Sequence, residues 1–189
     1  MRKFTPEQIA YYIDKSEKTR KEFHYLKYIL IDRKVKIMVE IGLWKATLSD
    51  FVLQNCPDIQ EYWGIDPWKY YPSSDDQMDP YYKGISTIQW DTVASQAYSV
   101  AIKFKQFHII RLPSKDAVRL FDDSFFDCVF IDADHSYRSV FQDISNWAPK
   151  LKSTGILCGD DFHRKSVRKA INLSFIKNIE SYKKYWVSI

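Results

Sequence analysis

Glycine is scarce, with five residues in 189, and neither a GxGxxG turn nor a P-loop occurs anywhere along the chain. Dinucleotide and nucleoside-triphosphate sites use such loops to bring backbone amides against phosphates. Their absence favours a ligand without phosphates. Cysteine is scarce too. Cys56, Cys128 and Cys158 make no CxxC pair, and so odd and widely spaced a set argues against a disulfide framework or a zinc knuckle. Cys128 and Cys158 sit in apolar runs, where a reduced thiol behaves as a small, inert hydrophobe. Long apolar runs are also missing. The longest are strand-sized, whereas a membrane span needs about 20 residues. Residues 1–7 lack the apolar core of a secretion signal, so the expectation is a cytoplasmic protein with no membrane partner. Charge of one sign does not dominate either: the net charge is +4 and the lysines are spread. Lys15, Lys18, Arg20, Lys21, Lys27 and Lys34 enrich the N-terminal region, which reads as a solvated helix exterior rather than a nucleic-acid site.

What is present is an ordinary globular balance, 46% apolar and 28% charged, in a length that suits one domain. Thr5-Pro6-Glu7-Gln8 has the form of a helix start, followed by apolar stripes at Ile9, Tyr12 and Ile13 and at Phe23, Leu26 and Leu30. Residues 1–34 are therefore expected to be a helical segment of the same domain that residues 35–189 complete. From residue 35 strands and helices alternate. Strands are expected over 35–42, 62–66, 107–112, 126–132 and 155–159, with two closing strands at Ile179 and over 185–189. Helices are expected through Leu48–Leu53, Val93–Phe104, Ala117–Phe121, Val140–Leu151 and Ser166–Leu173. The pattern predicts an α/β, Rossmann-like, doubly wound fold with a mainly parallel sheet of about seven strands, the last one antiparallel, and helices on both faces. Runs such as Cys128-Val129-Phe130-Ile131 fit strands buried on both sides.

Ligands of such sheets bind beyond the carboxyl ends of the strands. The strand ends here are Glu40-Ile41-Gly42, Asp66, Ser114-Lys115-Asp116, Asp132-Ala133-Asp134-His135 and Asp160-Asp161. Five consecutive ends carrying acidic or small polar residues exceed what a purely structural sheet requires. Taken singly, each has a plainer reading. Asp66 could be a turn aspartate, Asp160-Asp161 a solvent-facing turn, and His135 a cap on the following helix.

Four stretches together resemble class I S-adenosylmethionine (SAM)-dependent methyltransferases: Val39-Glu40-Ile41-Gly42-Leu43-Trp44-Lys45, Gly64-Ile65-Asp66-Pro67-Trp68, Phe130-Ile131-Asp132-Ala133-Asp134-His135-Ser136-Tyr137 and Gly159-Asp160-Asp161-Phe162. The nearest kinship is to the macrocin-type small-molecule and sugar O-methyltransferases, over roughly residues 36 to 189. SAM carries no phosphate, in keeping with the missing glycine loops. The resemblance implies that Glu40, Gly42 and Trp44 surround the SAM amino acid, that Asp66 takes the ribose diol, and that Ser114 and Lys115 flank the adenine. By likeness to the catechol and caffeoyl-CoA O-methyltransferases, Asp132, Asp160 and Asp161 would hold Mg²⁺ or a similar divalent cation. Asp132 would thereby serve both cofactor and chemistry. His135 falls where the macrocin-type relatives place a histidine, and would take the proton of a small-molecule or sugar hydroxyl. Two departures stand out: Ala46 replaces the usual third glycine, and Pro113 precedes the adenine-side serine.

Residues 67–84, with Trp68, Tyr70, Tyr71, Tyr81 and Tyr82, make a long connection that reads either as an aromatic lid or as a plain surface loop. Two other functions share the sheet. A nicotinamide-dependent oxidoreductase would be expected to carry the missing glycine-rich turn. A catalytically silent interaction module would be expected to lose the carboxylates that this chain keeps. A homo-oligomer is compatible with the sequence.

Overall fold

The computed structural model describes residues 21–69 and 85–188. The Thr5 helix start, the stripe at Ile9–Ile13 and the loop tyrosines lie outside them. The chain runs α1 (Lys21–Asp32), β1 (Ile37–Ile41), α2 (Thr47–Asn55), β2 (Glu61–Ile65), α3 (Thr87–Ala101), β3 (Phe107–Ile110) and α4 (Ser114–Ala117). It continues through β4 (Phe126–Ile131), α5 (Tyr137–Trp147), β5 (Leu151–Gly159), α6 (Lys165–Leu173), β6 (Ile179–Tyr182) and β7 (Tyr185–Ser188). One sheet takes the order β3-β2-β1-β4-β5-β7-β6. β1 to β5 are mutually parallel, and β7 inserts antiparallel beside β5. The doubly wound α/β fold expected from the sequence is the fold observed.

The alternation of strand side chains divides the interior into two cores. Met38, Tyr62, Cys128, Phe130 and Cys158 face α1, α2 and α3, among them Leu26, Leu30, Val52 and Ala97. Val39, Ile41, Ile65, Val129 and Leu157 face α4, α5 and α6, among them Ala117, Ile144, Trp147 and Ala170. Both faces of the central strands are thus dry, which explains their continuous apolar runs. All three cysteines are free and buried.

Local chemistry sets the helix starts. Ser86 Oγ accepts from Gln89 N (3.3 Å) and Gln89 Oε1 accepts from Ser86 N (2.9 Å), a reciprocal cap for α3. Ser136 accepts from Ser139 N at the head of α5. Two expected boundaries shift. α5 ends at Trp147, Ala148–Lys150 form a tight turn containing Pro149, and Leu151 opens β5 rather than extending the helix. The short helix expected at 117–121 begins at Ser114 and passes into a 3-10 turn, Val118–Leu120. Among the described residues no helix is long and apolar enough to cross a membrane.

Candidate active site

Four of the acidic and glycine strand ends lie on one rim of the sheet because the residue after each strand continues the ladder. Gly42 N donates to Ile65 O (2.9 Å), Asp66 N to Ile110 O (3.2 Å), Asp132 N to Ile41 O (2.7 Å) and Asp160 N to Ile131 O (3.0 Å). Gly42 is fixed as glycine by two constraints. Its φ is +93°, and a Cβ there would fall 2.1 Å from Asp132 O. The turn continues through left-handed Trp44 and Ala46, so the position expected to suit a third glycine adopts a glycine-like conformation as alanine.

Glu40 and Asp66 flank this turn, both buried. Glu40 Oε2 accepts from Ser49 Oγ (2.5 Å) and Tyr62 Oη (2.6 Å). Burial pushes its carboxyl up to about 7, against the pull of those two bonds. Asp66 accepts from Trp44 N on Oδ2 (2.9 Å) and from Trp68 N on Oδ1 (2.7 Å). Burial raises it to about 6 despite the amide donors. The amide of Leu43 also stabilises the carboxylate, so three backbone donors face Asp66. Trp68, one of the aromatics of the long connection, is itself core: it is 1% exposed and its indole donates to Trp44 O (2.9 Å).

At the β3 end Ser114 is committed inward. Its hydroxyl donates to Asp143 Oδ1 (2.5 Å) and accepts from Trp147 Nε1 (2.7 Å), tying α4 to α5. Asp143 is buried, and that burial drives its carboxyl up to about 7. Lys115 is exposed.

The β4 and β5 ends bring the titratable groups together. Donor atoms of Asp132, His135 and Asp161 lie within 4.8 Å of one another. His135 Nε2 is 3.0 Å from Asp161 Oδ2, with both side chains little exposed. Burial, then the charges of Asp160 and Glu40, hold Asp132 well above the usual carboxylate range. Asp161 goes the other way. Burial would raise it, but the bond from His135 and the charges of Arg164 and Lys184 nearby bring it down. Asp160 is raised by burial, and it stands outside the Asp132–His135–Asp161 group. Its Oδ2 is paired with Lys184 Nζ, and its Oδ1 accepts from Asp161 N. A small pocket lined by Asp132, Asp134, His135, Asp160, Val167 and Trp186 opens here.

The structure thus unites Asp132, His135 and Asp161 in one corner and sets Glu40, Gly42, Trp44 and Asp66 around the neighbouring turn. It turns the Ser114 hydroxyl away into the interior. Sequence reasoning missed Lys184, Asp143, Ser49 and Tyr62. None of these carries a local signal, since each meets its partner through the fold.

The chain belongs to a methyltransferase-domain family, which it matches over residues 39–162, from within β1 to just past Asp161. No curated protein matches it in sequence. Solved structures share its fold. A candidate caffeoyl-CoA O-methyltransferase from Staphylococcus aureus superposes with a TM-score of 0.60 at 18% identity, over 92% of this chain and 84% of that one. The O-methyltransferase TomG from Streptomyces achromogenes, involved in tomaymycin synthesis and solved with SAM, gives 0.63 at 12% identity, over 90% and 80%. The methyltransferase PaMTH1 of Podospora anserina, bound to SAH, gives 0.55 at 15% identity. There 82% of this chain spans 60% of the other. At these identities the likeness is one of fold.

Proposed function

We propose that this chain transfers the methyl group of SAM to a hydroxyl oxygen of a small molecule or sugar, at the corner formed by Asp132, His135 and Asp161. The observation that carries this reading is the convergence of an imidazole and two carboxylates at adjoining strand ends, beside the Glu40–Trp44 turn. Family membership and the SAM- and SAH-bound fold neighbours support SAM as the donor. So does the chain's own chemistry. No phosphate loop is built, and Asp66 offers a carboxylate at the end of β2 that could accept from a ribose hydroxyl. Lys115 and the backbone at Ser114 would border the adenine, with Asp143 and Trp147 holding that turn in place.

His135, oriented by Asp161, would accept the acceptor's hydroxyl proton. The freed oxygen lone pair then attacks the SAM methyl carbon, and the sulfonium takes the breaking bond's electrons to leave as a neutral thioether. A divalent cation fits the donor set, since Asp132 and Asp161 offer hard carboxylate oxygens close together. When bound, it would lower the pKa of the acceptor hydroxyl. Asp160, counted among its ligands from sequence, is paired with Lys184 instead.

Calorimetric titration with SAM, SAH and NADH, each with and without Mg²⁺, tests the reading. SAM and SAH are expected to bind and NADH is not. Binding of NADH without binding of SAM would return the fold to the oxidoreductase reading.

A further inference from the structure

Lys184 lies in the turn between β6 and β7, and it is not a loosely swinging surface lysine. Its own carbonyl accepts from Phe162 N (2.8 Å), the residue after the Asp160-Asp161 pair. Two residues on, Trp186 donates from Nε1 to Asp160 O (3.2 Å) and pairs with Gly159 across the sheet. The packing at that point is tight: a Cβ on Gly159 would meet the Trp186 ring at 2.9 Å. Strand pairing therefore delivers the ammonium to a fixed place, on a carboxylate whose side chain is 4% exposed. Both oxygens of Asp160 are engaged inside the chain, one by Lys184 and the other by Asp161 N.

Given the proposed methyl-transfer site, on which this inference rests, we propose that Lys184 is a cation built into the site on Asp160. It withdraws Asp160 from metal ligation, leaves the carboxylates of Asp132 and Asp161 to receive a divalent ion beside the base His135, and weakens that ion's binding. A buried anion paired with an ammonium has little left to offer a metal, and an ammonium beside a divalent ion repels it in a medium of low dielectric. Lys184 is thus a positioning residue that sets the metal dependence of this chain through Asp160. It does not touch the reacting atoms.

Mn²⁺ serves as the probe. In the wild-type protein, lysine methylation with formaldehyde and a hydride reagent, read by mass spectrometry, should modify Lys184 slowly and at the same rate with and without saturating Mn²⁺. In Lys184→Met, which keeps the aliphatic stem and removes the charge, Mn²⁺ should bind about tenfold more tightly or better. Tight binding seen only in the variant supports the proposal as well. Unchanged Mn²⁺ affinity in the variant, or no Mn²⁺ binding by either protein, overturns it. So does faster Lys184 labelling on Mn²⁺ addition, which would mean that the metal displaces the lysine and recruits Asp160. The labelling arm needs only the wild type, so faster labelling on Mn²⁺ addition overturns the proposal even where the variant does not fold. SAM titrated into the same wild-type sample keeps the outcomes apart: absence of SAM binding would sink the methyltransferase reading and leave the Lys184 result legible.

Discussion

His135 Nε2 and Asp161 Oδ2, contributed by the turns after β4 and β5, are 3.0 Å apart and nearly withdrawn from solvent. Each comes from a different strand end, and the parallel pairing of Ile131 with Gly159 is what sets them side by side. An imidazole so held presents its remaining nitrogen in one direction. Asp161→Asn keeps an oxygen to meet His135 and removes the charge. Turnover should fall roughly ten- to a hundredfold, since a base loses its orienting anion, while SAM affinity stays within about twofold. Isothermal titration alongside steady-state kinetics checks both. An equal loss in turnover and SAM binding would make Asp161 a part of the cofactor site rather than of the base.

Asp66 tests the other half of the cleft. Its carboxylate holds the amides of Trp44 and Trp68 and is proposed to accept the ribose hydroxyls. Asp66→Ala should weaken SAM by about 1.5–3 kcal/mol, the scale of hydrogen bonds to a charged group. Calorimetry on the folded variant measures this directly. Unchanged affinity would reduce Asp66 to a brace for the turn.

The sheet was legible in the sequence because its central strands bury both faces and end on acids. Cys128 to Ile131 can hardly be read otherwise. β5 was legible only in its second half. Lys152, Ser153 and Thr154 are polar and lie at its less buried start, and Leu151, four residues past Trp147, falls at helical spacing and lengthens the apparent helix. The same contrast holds in the site. Asp132, His135 and Asp161 sit at strand ends, where local pattern and topology are enough to nominate them. Lys184 reaches Asp160 across 24 residues of chain, and Asp143 reaches Ser114 across 29. Sequence spacing carries no trace of such pairings, so neither the Lys184 partner of Asp160 nor the Asp143 partner of Ser114 is legible from it.

Asp143 gives a prediction about stability. Its carboxyl rises from 3.8 to about 7 on folding because burial penalises the charge. Well below pH 3.8 the folded and unfolded chains both carry the proton and the group is neutral in its effect. As pH climbs from 3.8 through about 7 the unfolded chain ionises first, so the folded state loses stability, on the order of 4 kcal/mol in full. Asp143→Asn keeps an acceptor for the Ser114 hydroxyl and has no proton to lose. Its melting temperature should match the wild type well below pH 3.8 and exceed it increasingly up to about pH 8. Parallel melting curves across that range would mean that Asp143 is not a strained buried acid.

The most direct test of the account is transfer of a labelled methyl group from SAM to a panel of sugar and catechol hydroxyls, by the wild type and by His135→Ala at matched SAM occupancy. Label is expected on an oxygen of at least one acceptor, with turnover reduced about 10²–10⁴-fold in the variant while SAM affinity holds. Equal transfer by the two proteins would contradict it, since the corner formed by Asp132, His135 and Asp161 would then have no part in the chemistry.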